Sequence, residues 1–361
     1  MRAMCIRHRV SLRALAALAK LALVVGLIVF GLTRNVDPSP PDVSGKSNDV
    51  LLYDTIVDRV HHGESYYPAA IDELRDRGYP LRPFVAVRLP TLAWAMAAMP
   101  SDTIRRLSVA ILALVVIGAW AWRLGRAQPS VMRYIVWLMG LIVGVGPAFV
   151  AGGSSLHEVW AGLLIALSMA LRRPGAWLLA VSIGTVAALF RELAAPYLVV
   201  MALLALWERQ YKEAAAWLIG IGVFALALAA HAMQVNELVT SADRLSGGWL
   251  QLGGWPFVLR TAQWNLYLLH LSLFGAVLMP LALLGLTARP TDPRLLLTVV
   301  GYTAGFLLVG RNDNSYWGFI TAPLWPLGWA TVWSALAQCY ADLRRFLQSR
   351  PSTSAAPAGP S

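Results

Sequence analysis

Ten of this chain's 19 carboxylates fall between Arg34 and Arg106, in a sequence that is otherwise mostly apolar. The most telling are Asp49 and Asp54 in "NDVLLYDTIVDRV", which follows the first long hydrophobic run. A carboxylate held near bilayer headgroups can take the proton from a hydroxyl nucleophile. Further along, Arg191 lies between two apolar runs with Glu192 beside it. An ionisable group in such a place is a functional-site candidate by default. Its planar guanidinium stays charged and grips phosphate oxygens in two places, which suits a reaction where negative charge grows on a departing phosphate. Arg311 follows the same logic, with Asp313 within reach as a partner. Arg88 is placed to hold a headgroup or to pair with an acid. His61, His62 and Glu64 offer metal ligands within four residues, but neighbouring His side chains point apart on a helix. Packing is the expected role of His231 and His270.

These residues need a membrane scaffold to hold them. Hydrophobic residues make up 58% of the 361, charged residues 14%, and mean hydropathy is +0.59; that is the profile of a multi-span membrane protein. At roughly 20 apolar residues per crossing, about ten spans are expected, the first five being Leu12–Leu32, Leu107–Trp122, Tyr134–Ala151, Glu158–Leu171 and Ala176–Phe190. Leu193–Trp207, Ala214–Ala232, Leu266–Thr287, Leu295–Gly310 and Tyr316–Gln338 complete the set. The basic start, with Arg2, Arg7, Arg9, Arg13 and Lys20, lacks a small-residue cleavage site after its apolar run and reads as an uncleaved first span.

The positive-inside rule then sends the basic loops Arg123–Arg133, Arg172–Arg173, Glu208–Glu213 and Arg289–Arg294 to the cytoplasm. Arg34–Arg106, Gly152–His157, Arg191–Glu192, Gln234–Asn265 and Arg311–Ser315 go to the opposite side. This ordering requires Phe84–Met99, with Arg88 and Pro90 inside it, to lie along the interface as a helix rather than cross.

Within the long loop, Val50, Ile56, Val57 and Val60 repeat at helical spacing, so Asp49–Val60 is expected to be a short helix capped by Asn48 or Asp49. Asp54 and Asp58 then occupy other faces of it. The net charge of +11 calls for anionic headgroups and not for nucleic acid. Cys5 and Cys339 lack metal-ligand spacing, and a structural disulfide is not expected. Trp249, Trp255, Trp264, Trp317 and Trp325 fall near proposed interfaces, as anchors or packing residues. The whole reads as one transmembrane domain over 1–350, with loops at 34–106 and 233–265 and a disordered tail at 351–361.

An acid soon after the first span, a Tyr a few positions later, "GESYY" and "YPLRP" together resemble the first outer loop of the GT-C superfamily of membrane glycosyltransferases. "PAFVAGGSSLHEVW" resembles the second outer loop, with Glu158 opening the next span and His157 beside it. "LFRELAAPY" resembles a helical hairpin with a basic residue, Arg191, at its outer turn, and "GRNDNSYWGFITAPLWP" resembles a late outer loop. Glu158 departs from the more usual Asp, and no large soluble C-terminal domain follows.

The resemblance implies an all-α fold and an inverting transfer of a monosaccharide from a polyprenyl-phosphate carrier. The acceptor would be a lipid, glycan or protein at the outer face of a bacterial inner membrane. It assigns Asp49 as general base, with Asp54 as rival. Arg191 would clamp the phosphate, and Glu158 would orient acceptor or base. Arg311, Tyr316, Arg88, His157 and Tyr53 would line the substrate. No cofactor is implied, with a divalent cation as the minor alternative. The competing class is a transporter or flippase without covalent chemistry. Transporters usually repeat their halves, whereas the acid-rich loop here occurs once.

Overall fold

The computed structural model describes residues 2–34, 48–150, 152–248, 251–264, 275–289 and 291–349. Trp249, His270, the Pro-rich linker and the tail from residue 350 lie outside them. The described residues form helices and turns, without β-strands beyond two isolated bridges. The helices are α1 (Arg2–Thr33), α2 (Asn48–His61), α3 (Tyr66–Asp76), α4 (Thr91–Ala97), α5 (Asp102–Gly125), α6 (Val131–Val145) and α7 (His157–Leu171). Then come α8 (Leu178–Phe190), α9 (Ala195–Trp207), α10 (Tyr211–Leu238), α11 (Gly254–Gln263), α12 (Gly275–Leu286), α13 (Pro293–Leu308) and α14 (Val332–Gln348).

By length and composition, four stretches can cross a membrane: Ser11–Thr33, Asp102–Gly125, Val131–Phe149 and Tyr211–Leu238. Their outer faces are apolar and exposed, for example Leu23 and Val25 on α1, Ile111 and Leu114 on α5, and Leu218 and Ile219 on α10. Of the other expected spans, Glu158–Leu171, Ala176–Phe190, Leu193–Trp207 and Leu295–Gly310 form shorter apolar helices, as does the described part of Leu266–Thr287. A 15-residue helix such as α7 rises about 22 Å, less than the roughly 30 Å hydrocarbon core. α7 is the central column, buried on nearly every face, and it packs against α5, α8 and the turn Asn312–Ile320.

Two expected helices break at their prolines. Phe84–Met99 is not one interfacial helix: it forms a 3-10 turn at Phe84–Ala86, extended backbone at Val87, and α4 after Pro90. A proline restricts the residue before it to extended geometry, which splits the segment. Likewise Tyr316–Gln338 is not a continuous span. Asn312–Ile320 and Trp325–Thr331 are 3-10 turns, with Pro323 and Pro326 between and within them, and only Val332 onward is α-helical.

Glycines make that irregular stretch packable. A Cβ on Gly144, Gly162 or Gly285 would collide with the backbone carbonyl of Ala322, Phe319 or Gly328, respectively. Trp255, Trp264, Trp317 and Trp325 are buried in this part of the core rather than ringing an interface. Among the described residues the most exposed tryptophans are Trp207 and Trp333.

Polar side chains collect at two ends of the bundle. At one end Arg172 makes a two-pronged bond to Glu213 at 2.9 and 2.7 Å, and Arg294 another to Glu208 at 2.8 and 2.7 Å. Arg123 reaches Asp292 at 2.6 Å there. Those residues come from the short basic loops expected to share a side. The loops expected on the other side meet at the opposite end, through Ser155–Asp54, Arg75–Asp243, Arg88–Glu192 and Arg311–Ser246.

Candidate active site

The first turn of α2 presents Asp49 to a cavity of about 490 Å³. The helix forms because Val50, Leu52, Ile56 and Val57 bury one apolar face. α3 ends at Arg77, and Gly78 turns the chain with φ +70°, a left-handed conformation that glycine adopts without a Cβ clash. That turn brings Tyr79 back to α2, where its hydroxyl donates to Asp49 Oδ1 at 2.5 Å. Burial, and then the bond to Asp49, push the Tyr79 phenol well above its usual range, so it remains a donor. One carboxylate oxygen is thereby fixed and the group is oriented.

The facing wall holds two arginines and two glutamates. Arg191 is drawn in by the break between α8 and α9 and is only 2% exposed. Its Nε donates to Glu158 at 2.6 Å, and its Nη1 pairs with Glu192. Arg88, from the extended stretch before Pro90, donates Nη1 to Glu192 at 3.4 Å and Nη2 to the Tyr316 hydroxyl at 3.3 Å. Its Nη2 also lies 4.0 Å from Glu158. The Arg88 Nε is buried with no partner among the described residues. The cluster is formally neutral, and its members differ in freedom: the Glu158 side chain is 3% exposed and that of Glu192 20%. Arg311 joins from the other side of the cavity, paired with Asp313 at 2.5 and 3.1 Å.

Tyr53, Arg88, Arg191, Arg311 and Tyr316 therefore line one cavity with Asp49. Glu158 stands behind the arginines rather than in the lining. Asp54 is not in it either: five residues after Asp49 on α2, it is turned roughly 140° round the helix, where it accepts from the Ser155 hydroxyl at 2.5 Å. Burial pushes its carboxyl up, with the Ser155 bond opposing. His157, expected to line the substrate, is absent from this lining too. It is buried, its Nδ1 has no partner among the described residues, and its ring meets Tyr53 edge-on at 4.8 Å.

His61, His62 and Glu64 do not assemble as ligands. They are taken by the Ala97 carbonyl, the Asp58 carbonyl and Arg59. Among the described residues no group of three or more His, Cys, Asp or Glu could hold a metal ion. His231 bonds the Val87 carbonyl at 3.1 Å, a packing role.

Tyr79 and Glu192 are the site residues that sequence reasoning passed over. Tyr79 stood inside "YPLRP", and Glu192 stood next to Arg191, so adjacency to those motifs was the available signal. The arrangement can remove a proton at Asp49 and stabilise a phosphate at Arg88 and Arg191 within the same cavity. No family model, curated protein or solved structure matches the chain.

Proposed function

We propose that the chain is an integral-membrane glycosyltransferase of the GT-C type, moving a monosaccharide from a polyprenyl-phosphate carrier to an acceptor hydroxyl. The observation that carries this reading is the shared cavity: Asp49, held by Tyr79, opens into the same space as Arg88, Arg191 and Tyr316. In the proposed reaction Asp49 takes the acceptor proton as the acceptor oxygen bonds to the sugar's anomeric carbon. The bond from that carbon to the carrier phosphate breaks, and its electron pair leaves with the phosphate. Arg88 and Arg191 stabilise that charge. Attack opposite the leaving group inverts the anomeric centre.

Glu192 competes with the donor phosphate for the two arginines. It bridges both arginines and is the more exposed of their carboxylates, so the incoming phosphate displaces it. The reading takes about ten crossings, with the short helices completed by irregular backbone. Such backbone is tolerated at membrane depth where protein buries it, as for the carbonyls packed on Gly144, Gly162 and Gly285. In this reading the site end faces the periplasm of a bacterial inner membrane.

The test is transfer by purified protein from radiolabelled polyprenyl-phosphate monosaccharides to a panel of lipid, glycan and peptide acceptors. Label moving to an acceptor in an Asp49-dependent manner supports the reading. Undiminished transfer by Asp49→Asn, or no transfer with any donor, overturns it.

A further inference from the structure

A second cavity, of about 310 Å³, adjoins the first. Tyr79, Pro80, Ser246 and Arg311 line both, so the two share a wall. Asp49 faces the first and Asn48, its neighbour on the opening turn of α2, lines the second. What distinguishes the second is its charge. Among the described residues Arg77, Arg244 and Arg311 line it, and no carboxylate does.

The loop that carries Arg244 is firmly built. The Arg244 carbonyl accepts from the backbone N–H groups of Leu81 and Arg82 at 3.0 and 3.2 Å, and Ser246 donates back to Arg82 at 2.6 Å. Arg75 clamps Asp243 at 2.7 Å. The Arg244 side chain itself donates to the Gly78 carbonyl at 2.7 Å and has no carboxylate partner among the described residues. Arg77 is partly neutralised by Glu73 and Arg311 by Asp313, but both acids lie outside the lining. The N-terminus of the 14-residue α2 adds its dipole to the same space.

We infer that this second cavity is an anion subsite for the acceptor, selecting one that carries a phosphate group near the hydroxyl to be glycosylated. Three guanidiniums on one lining suit a dianionic phosphomonoester, whose oxygens take two-pronged bonds. The cavity's position beside Asp49 and away from Arg88 and Arg191 separates it from the proposed donor phosphate site. The acceptor's hydroxyl then lies on Asp49 while its phosphate lies on Arg77 and Arg244. The acceptor role rests on the transferase reading; the anion chemistry does not.

The experiment is calorimetric titration of the purified full-length protein, without donor, using methyl glucoside 6-phosphate, neutral methyl glucoside and inorganic phosphate as probes. The phosphorylated glucoside should bind about tenfold tighter than the neutral one, the scale of one charge-assisted hydrogen bond. Arg244→Ala should erase that difference and Arg244→Lys restore part of it. Arg77→Gln, checked by thermal melting, serves if Arg244→Ala does not fold. Equal binding of the two glucosides, or a difference that survives both variants, overturns the inference. So does inorganic phosphate binding as tightly as the sugar phosphate, which would mark a free-anion site. Equal competition by phosphatidylglycerol in nanodiscs would mark a headgroup site and overturn it too. Failure of the transferase reading is distinguishable, because it appears as absent label transfer and leaves this titration unchanged.

Discussion

The Tyr79 hydroxyl donates a 2.5 Å hydrogen bond to the Asp49 carboxylate from a turn 30 residues further along the chain. A base held in this way can be tested apart from its holder. Asp49→Asn should lower transfer by about 10² or more while donor binding persists, the scale of losing a general base. Tyr79→Phe should lose about tenfold, as one hydrogen bond to a charged group goes. Asp54→Asn should retain transfer, because that side chain faces Ser155. Radiolabel transfer rates beside donor-binding titrations check all three, and an inactive Asp54→Asn with an active Asp49→Asn would reverse the assignment.

Arg191 and Glu158 are both nearly inaccessible to solvent, so removing one deprives the other of a 2.6 Å charge-assisted bond across the buried site. Arg191→Ala should destabilise the protein by about 3–5 kcal/mol, the usual result of breaking a buried pair. Arg191→Met with Glu158→Leu should cost less than the sum of the single changes. Thermal or denaturant unfolding of the four proteins in one detergent gives the coupling, and strictly additive losses would contradict it.

Glu192 competes with the donor for Arg88 and Arg191 in the proposed mechanism. Glu192→Gln should therefore lower the donor KM severalfold, with the gain shrinking as ionic strength rises. Arg191→Lys should recover only part of what Arg191→Ala loses, since a point charge lacks the guanidinium fork. Initial rates across donor concentrations separate these effects, and a raised donor KM in Glu192→Gln would count against displacement.

Acid should loosen the loop that carries Arg244. Arg75, and then the Thr240 backbone N–H, hold the Asp243 carboxyl well below the usual carboxylate range. A depressed carboxyl contributes stability that is present above its unfolded value, about pH 4, and is lost as pH falls toward its folded value. Asp243→Asn should thus melt below wild type at pH 7, and the gap should begin to narrow as pH falls below about 4. A gap that widens on acidification would refute the assignment.

The sequence carried Asp49 and Arg191 to the site because each is announced locally, one by the opening of an apolar-faced helix and one by the apolar runs around it. The loops grouped by their basic residues do touch one another within each group, as Arg172 with Glu213 and Asp54 with Ser155. Tyr79 and Arg244 could not be read in this way. The partner of Tyr79 lies 30 residues back, and Arg244 meets Arg77 only after α3 and its loop have packed. Phe84–Met99 misled for the opposite reason: its apolar content suggested a helix, and Pro90 decided its backbone. The tryptophans near proposed interfaces were placed by position along the chain, whereas burial depends on what packs across them.

The carbonyls of Phe319, Ala322 and Gly328 each rest where a helix has no side chain. Those notches belong to α7, α6 and α12, all made earlier in synthesis, so the irregular stretch has no seat until those three stand together. It would then act as a keystone, seated only after those helices. Gly162→Ala should then leave the early helices able to insert but the bundle unclosed. The newly made protein would be expected to keep its hydrophobic segments in the bilayer yet be cut by protease within residues 312–331.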